Sequence, residues 1–310
     1  MKHNILVTGG SGFIGSNLVD FLIKEGHKVF VVDNLSTGLK ENENKQAKYY
    51  HYDLVECIED SQYIEAILNR DNIDTVYHLA ASADIFLSIN NPEKVYNINL
   101  TSSVAFVNLC KHSNVNKFIF ASTSAVYGEP RYLPVDEDHP KEPISPYGLT
   151  KLGFEQYLDY FKLQSKISFT IFRFPNVYGH RQRPDLEGGV IAIFQDLIIK
   201  NKDIKMFGDG NQTRDWVEVT DIVSALYMSL EYKNKYEIFG LGSNTKTTLN
   251  MLFNYFKELT GFAGSPEYLE ERDGDIKHMV MTYDYAKEEL GWQPYIDLKD
   301  GIKKLIDGSK

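Results

Sequence analysis

The sequence predicts a doubly wound α/β fold: a parallel sheet covered by helices on both faces, with a smaller C-terminal α/β lobe placed to hold a substrate. Three observations predict it. Short apolar runs without two-residue alternation recur through the first half, amphipathic helical stretches separate them, and a glycine-rich turn joins the first run to the first helix.

The apolar runs are residues 5–8, 29–33, 75–79 and 118–121. Continuous apolar runs of this length suit strands buried on both faces. The stretch 14–24 between the first two places Ile14, Leu18, Phe21 and Leu22 on one helical face. Past residue 175 the rhythm changes. Residues 188–200 read as a helix, 204–207 as a strand ending in the turn Gly208-Asp209-Gly210, and 216–231 as strand then helix. Residues 236–241 form a short apolar run, and 249–261 are amphipathic. The expected division is 1–174 plus about 216–243 for the nucleotide-binding domain, with 175–215 plus 244–310 for the smaller lobe.

Composition narrows the classes. The 310 residues are 43% hydrophobic and 25% charged, which excludes a disordered, fibrous or coiled-coil chain. Against 33 basic residues stand 43 acidic ones, for a net charge of −10. Such a surface repels nucleic-acid backbones and anionic lipid, so neither is the expected partner. Cys57 and Cys110 form no CxxC pair and read as reduced thiols. No apolar run reaches membrane-spanning length, and Met1-Lys2-His3-Asn4 leads directly into the first strand, so the expected location is the cytoplasm. The eight histidines are scattered without metal-binding spacing, so no metal is expected; His78 and His278 read as structural or pocket-edge residues.

The first strand runs into Thr8-Gly9-Gly10-Ser11-Gly12-Phe13-Ile14-Gly15. Glycines at this spacing let a backbone approach a pyrophosphate, whose charge rests on the first amides of the following helix. Asp33 lies 18 residues past Gly15, at the end of the next strand, where a carboxylate accepts hydrogen bonds from the ribose hydroxyls of a dinucleotide. The same carboxylate repels a 2′-phosphate, which favours NAD over NADP. Asp53-Leu54 follows the polar stretch 40–52, in an expected loop at the adenine end.

Tyr147 and Lys151 are four residues apart and share a helical face. Spacing alone says little: 20 tyrosines and 26 lysines give about two such pairs by chance, and the sequence has three, the others being Tyr283/Lys287 and Tyr295/Lys299. Placement separates them. Tyr147 follows Ser145-Pro146, a helix cap and first-turn proline, and stands 24 residues after Thr123 in a polar cluster at the end of the fourth apolar run. A phenol must be stabilised by about 4 kcal/mol to act as a base near neutral pH. A lysine ammonium and the positive nicotinamide supply that, while Thr123 hydrogen-bonds the reacting alcohol.

These motifs, together with Asp33-Asn34-Leu35, HLAA at 78–81, Asn99, STSAVYG at 122–128, RFPNVYG at 173–179, GDGNQTRDWV at 208–217, RDGDI at 272–276 and LGW at 290–292, resemble the extended short-chain dehydrogenase/reductase family and most closely its UDP-hexose 4-epimerase branch. The resemblance covers residues 5 to about 305. It implies a Rossmann fold and a bound NAD held by Gly9, Gly12, Phe13, Ile14, Gly15, Asp33, Asn34, Asp53, Leu54, Leu79, Ala80, Ala81, Asn99, Tyr147 and Lys151. It implies epimerisation at C4 of a UDP-sugar through a transient 4-keto sugar, with Thr123, Tyr147 and Lys151 catalytic. The nucleotide-sugar would lie against Thr123, Asn176, Val190, Phe207, Arg214, Arg272, Asp275 and Met279. Arginine is scarce here (7 against 26 lysines), and its planar fork suits diphosphate oxygens.

Two departures shape the expectation. The family's dehydratases and decarboxylases carry acidic residues after the threonine, whereas this chain reads Thr123-Ser124-Ala125, which demotes both chemistries. Met279 stands where a bulky tyrosine would exclude N-acetyl groups, so the N-acetylated sugars stay open. Two other readings remain. One is a related nucleotide-sugar oxidoreductase, such as a UDP-glucuronate 4-epimerase or a 4-keto reductase. The other is a noncatalytic NAD-binding regulator. The family also implies a homodimer through helices 97–112 and 146–164, with Val104, Phe106 and Leu109 on one and Phe154, Tyr157 and Phe161 on the other.

Overall fold

Residues Ile5, Leu6 and Val7 are all fully buried in strand β1 (Asn4–Thr8), which explains why this run lacks alternation: both faces of the strand are covered. The computed structural model describes residues 2–186, 189–271 and 276–308. With β1 run β2 (Lys28–Asp33), β3 (Lys48–His51), β4 (Thr75–His78), β5 (Lys117–Thr123) and β6 (Ser168–Phe174). Completing the smaller elements are β7 (Asn176–Tyr178), β8 (Lys205–Phe207), β9 (Thr213–Arg214), β10 (Trp216–Glu218), β11 (Tyr236–Gly240), β12 (Thr247–Thr248) and β13 (Glu267–Leu269). Seven strands form one parallel sheet in the order β11-β6-β5-β4-β1-β2-β3, a Rossmann-type arrangement whose order reverses between β1 and β4.

Alternate residues of the strands feed two cores. Ile5 and Val7 pack with Leu18 and Leu22 of helix α1 (Phe13–Lys24), while Leu6 joins a second cluster on the opposite face. That second cluster takes in Ile64 and Ile67 of α2 (Gln62–Arg70). The chain then forms α3 (Ile85–Asn90) and α4 (Pro92–Tyr96). A π-helical turn over Asn97–Thr101 leads into α5 (Ser102–Lys111), and α6 (Pro146–Phe161) follows β5. Ser145 caps α6 by accepting from the Gly148 amide at 3.1 Å, with Pro146 in the first turn.

The remaining helices are α7 (Val190–Ile199), α8 (Val219–Met228), α9 (Leu249–Thr260), α10 (Asp284–Leu290) and α11 (Leu298–Gly308). Helices α7, α9 and α11 enclose a third core containing Phe194, Phe256 and Ile302. Around it lie three two-stranded pairings: β13 with β8, β12 with β9, and β10 with β7. Strand β11 crosses to the edge of the main sheet beside β6.

The structure corrects some local expectations. The polar stretch 40–52 contains β3, an edge strand in which Tyr49 and Tyr50 are covered while Lys48 and His51 are exposed. Strand β6, which no single apolar run marks in the sequence, holds the sheet position between β5 and β11. Phe106, Phe154 and Phe161, expected on a dimer face, lie in the subunit's own second core. Large apolar side chains that face outward near there are Leu149, Tyr160 and Leu163. Among the described residues, no helix is long and apolar enough to cross a membrane.

Candidate active site

The turn between β1 and α1 is shaped by what its glycines exclude. Gly9 has φ +71°, and a Cβ on it would sit 2.8 Å from the Ala80 amide nitrogen. A Cβ on Gly15 would lie 2.1 Å from the Gly9 carbonyl oxygen, so the first helical turn folds down onto the loop only with glycine there. Gly12 caps α1 and provides no side-chain acceptor, leaving the first amides, at Phe13 and Ile14, directed at whatever occupies the cradle.

Asp33 ends β2 beside this loop and is largely buried. Its Oδ2 accepts from the Ser11 amide at 2.9 Å and its Oδ1 from the Leu35 amide at 2.8 Å. Burial pushes the carboxyl pKa up, while those two amides pull it down. Asn34 donates to Asp53 Oδ2 at 2.9 Å, and Asp53 Oδ1 accepts from Val55 to cap the turn containing the buried Leu54. Asp33, Asn34, Asp53 and Leu54 therefore meet at one end of the crevice. Leu79, Ala80 and Ala81 follow β4 on the other side of β1, half-buried, and Asn99 clasps the next residue, Ser82, through both its amide and its carbonyl. A cradle that side chains would fill, an uncapped helix N-terminus and a carboxylate at the end of β2 together fit a dinucleotide.

Thr123 is the last residue of β5, and its Oγ1 accepts from the Ala125 amide at 3.2 Å. It thus caps the 3₁₀ turn Ser124–Val126, and its hydroxyl proton is left to donate elsewhere. Helix α6 presses its first turn onto that 3₁₀ turn at Gly148, where a Cβ would lie 2.5 Å from the Ala125 carbonyl oxygen. This close approach brings the half-buried Tyr147 to the end of β5 where Thr123 stands. One helical turn on, the buried Lys151 ammonium donates to the Ala121 carbonyl at 2.9 Å and lies 4.8 Å from the Phe120 ring centre. The other two Tyr/Lys pairs lie in the C-terminal part of the chain: Lys287 is 6.0 Å from the Tyr283 ring, and Lys299 reaches Glu258.

The expected sugar-nucleotide residues other than Thr123 follow β6 in the chain. Asn176 donates from both its backbone and side-chain nitrogens to the Asp215 carbonyl, at 3.1 and 3.2 Å. Val190 opens α7, Phe207 ends β8, and Arg214 lies in β9 with Nη1 donating to the Thr213 carbonyl at 3.0 Å. All four are half-buried. Met279 is buried with Val126, Tyr127, Val135 and Met281, behind the Ser124–Val126 turn. Arg272 and Asp275 lie outside the described residues.

The structure adds contacts that the sequence reading did not predict. Arg173, Glu155, Ser122 and Tyr127 form a buried polar network directly behind Thr123. Ser122, Tyr127 and Arg173 lie within the STSAVYG and RFPNVYG motifs, and Glu155 continues the spacing of Tyr147 and Lys151 along α6. Asp215 is fully buried, holds the Ser243 and Met281 amides at 3.0 Å, and has its pKa pushed up to about 6 by burial. His78 is buried at the end of β4, between Thr8 and Ser103. His278 meets the Thr213 hydroxyl at 3.0 Å.

Comparison with known proteins agrees with this arrangement. The model of the NAD dependent epimerase/dehydratase family matches residues 5–242. A protein of Methanocaldococcus jannaschii, provisionally named a UDP-glucose 4-epimerase, is 43% identical over 307 residues, covering 99% of this chain and 98% of the relative. The crystal structure of the Thermotoga maritima UDP-glucose 4-epimerase with UDP-glucose superposes with a TM-score of 0.94 at 40% identity, covering 98% of this chain and 97% of that one. The UDP-N-acetylglucosamine 4-epimerase of Methanobrevibacter ruminantium, in complex with UDP-N-acetylmuramic acid, gives 0.92 at 32%, covering 99% and 98%.

Proposed function

The chain belongs to the NAD dependent epimerase/dehydratase family, and from that premise we propose that it is an NAD-dependent 4-epimerase of UDP-hexoses. It interconverts the gluco and galacto forms, the N-acetylated sugars included. The relatives that act on or bind UDP-glucose and N-acetylated UDP-sugars support both substrate groups. The observation that supports the reading most is the approach of α6 to the end of β5 at Gly148, which sets the turn bearing Tyr147 against the turn that Thr123 caps, with Lys151 bonded to the Ala121 carbonyl.

When bound, NAD supplies a hydride acceptor and then a hydride donor for C4 of the sugar. The chain holds it through the amides of Phe13 and Ile14 and the carboxylate of Asp33. Tyr147 takes the proton of the 4-hydroxyl and gives it back to the same oxygen after the 4-keto sugar has turned to present its opposite face. Thr123 donates its remaining hydroxyl proton to the reacting oxygen and fixes its position. Lys151 brings positive charge one turn from Tyr147 and favours the phenolate. Ser124 and Ala125 carry no carboxyl group, so the turn provides no acid or base for elimination or decarboxylation at C5 and C6.

Asn176, Val190, Phe207, Arg214 and Met279, with Arg272 and Asp275, hold the UDP-sugar in this reading. Arg214 and Arg272 face the diphosphate, and Phe207 stacks on the base. The nucleotide-binding unit is 1–174 plus about 216–243, with the substrate lobe formed by the rest; β11 in the main sheet supports that division. The protein acts in the cytoplasm as a homodimer joined through the α5 and α6 surface, where Leu149 and Tyr160 are exposed. A monomer mass in light scattering would remove the dimer. A proton NMR assay of sugar interconversion tests the activity.

A further inference from the structure

His78 ends β4 in a box of four phenylalanines: the Phe106, Phe118, Phe120 and Phe154 ring centres lie 5.5 to 5.9 Å from its own. A polar ring there needs partners for both nitrogens. Nδ1 lies 2.8 Å from Thr8 Oγ1, and Nε2 lies 2.9 Å from Ser103 Oγ.

The direction of each bond follows from counting protons. Ser103 Oγ donates its one proton to the Asn99 carbonyl at 2.7 Å, so toward His78 it is an acceptor, and Nε2 must carry the hydrogen. Nδ1 is then bare and accepts from the Thr8 hydroxyl, whose oxygen receives the Ala80 amide at 3.2 Å. Burial, and to a smaller extent the charge of Lys151, pushes the ring pKa down to about 3, so the imidazole stays neutral at working pH.

The chain continues past Asn99, which sits in the π-helical turn. Asn99 Nδ2 donates to the Ser82 carbonyl at 2.9 Å and to Thr150 Oγ1 at 3.3 Å, and Thr150 Oγ1 donates to the Tyr147 carbonyl at 2.8 Å. One end therefore lies under Gly9, through Thr8 and Ala80. The other lies under the turn that bears Tyr147.

The geometry points to His78 as a positioning residue, locked as the Nε2–H tautomer, that sets the distance between the cofactor loop and the turn carrying Tyr147. This deepens the epimerase reading and rests on it. His78 touches neither substrate nor cofactor. Its effect passes through Ser103, Asn99 and Thr150, and a shift of about 1 Å at the reacting groups is enough to slow chemistry by two orders of magnitude.

The test compares His78→Phe with His78→Gln in the NAD-loaded enzyme. Phenylalanine fills the aromatic box without hydrogen bonds, whereas the glutamine amide can replace the Nε2 donor toward Ser103. Expected for His78→Phe are retained NAD, a KM within about threefold of wild type and a kcat lowered about 10- to 100-fold, with His78→Gln recovering most of the loss. In wild type, nitrogen NMR of labelled histidine should show protonated Nε2, bare Nδ1 and no titration from about pH 5 to 9. Wild-type kcat in His78→Phe, a loss confined to KM, no recovery with glutamine, or a titrating ring would each overturn the role.

Hydrogen exchange separates this proposal from the activity. In His78→Phe, residues 80–82 and 147–150 should lose protection together, whether or not a UDP-hexose is turned over. Loosening of one segment alone contradicts the coupling. A wild-type enzyme inert toward UDP-hexoses would defeat the epimerase reading without touching this result. If His78→Phe does not fold, glutamine exchange and the wild-type NMR decide the matter.

Discussion

Arg173 and Glu155 form a buried ion pair in which guanidinium Nη2 lies 2.6 Å from carboxylate Oε2, both side chains being 2% exposed. Arg173 projects from β6 and Glu155 from α6, two turns beyond Tyr147. The second carboxylate oxygen receives the hydroxyl of Ser122, the neighbour of Thr123, and Arg173 also donates to the Tyr127 hydroxyl at 3.0 Å. The pair therefore pins α6 to the strand end that carries Thr123. Two buried charges so joined add little over an apolar pair, but losing one strands the other.

Glu155→Ala should accordingly lower unfolding free energy by about 3–5 kcal/mol, read from urea denaturation with an unchanged slope. A loss below about 1 kcal/mol would mean that Arg173 finds another partner and that the pair does not hold the helix.

Tyr147→Phe removes the proton acceptor and little else. It should keep the fold and the bound NAD while kcat drops by at least about 10²-fold. Near-wild-type turnover would move the base elsewhere.

Gly15→Ala places a methyl 2.1 Å from the Gly9 carbonyl oxygen, inside any real contact distance. The loop must open, so the purified variant should lose most of its NAD, read as released nucleotide after denaturation. Full NAD content in a folded variant would show that the cradle adjusts without cost.

Asp215 gives a pH dependence of defined sign. Burial raises its folded pKa to about 6, above the unfolded value near 3.8, so the folded state binds the extra proton. Its stabilising contribution is present below about pH 4 and is lost as pH rises to about 6, a change of about 3 kcal/mol. Relative to Asp215→Asn, wild type should therefore be more stable at pH 4 than at pH 7. A flat difference would mean that the surrounding amides already hold the carboxylate ionised.

What the sequence revealed and what it hid divide along local and distant causes. The glycine turn and the Ser145-Pro146 cap that opens α6 depend on residues close in the chain, and each is legible. Strand β3 covers only Tyr49 and Tyr50, between the exposed Lys48 and His51, and so presents no apolar run. Within β6, Arg173 interrupts the run, and its partner Glu155 comes from another element. Asp215 looks like an exposed charge beside Arg214 because its amide donors come from Ser243 and Met281. The phenylalanines of α5 and α6 are apolar enough for a dimer face, and only the sheet behind them shows which side they serve. His78 meets Thr8 and Ser103, 70 and 25 residues away, separations that leave no motif.

The central claim is C4 epimerisation with no net redox change. The most direct measurement is a proton NMR time course with UDP-galactose and UDP-N-acetylgalactosamine in separate samples, at catalytic enzyme concentration, with absorbance at 340 nm followed alongside. The account predicts conversion of each to its gluco epimer and no accumulation of NADH, the two rates reporting how well the pocket around Met279 takes an N-acetyl group. No conversion of either sugar, or a rise at 340 nm that tracks loss of substrate, would contradict it.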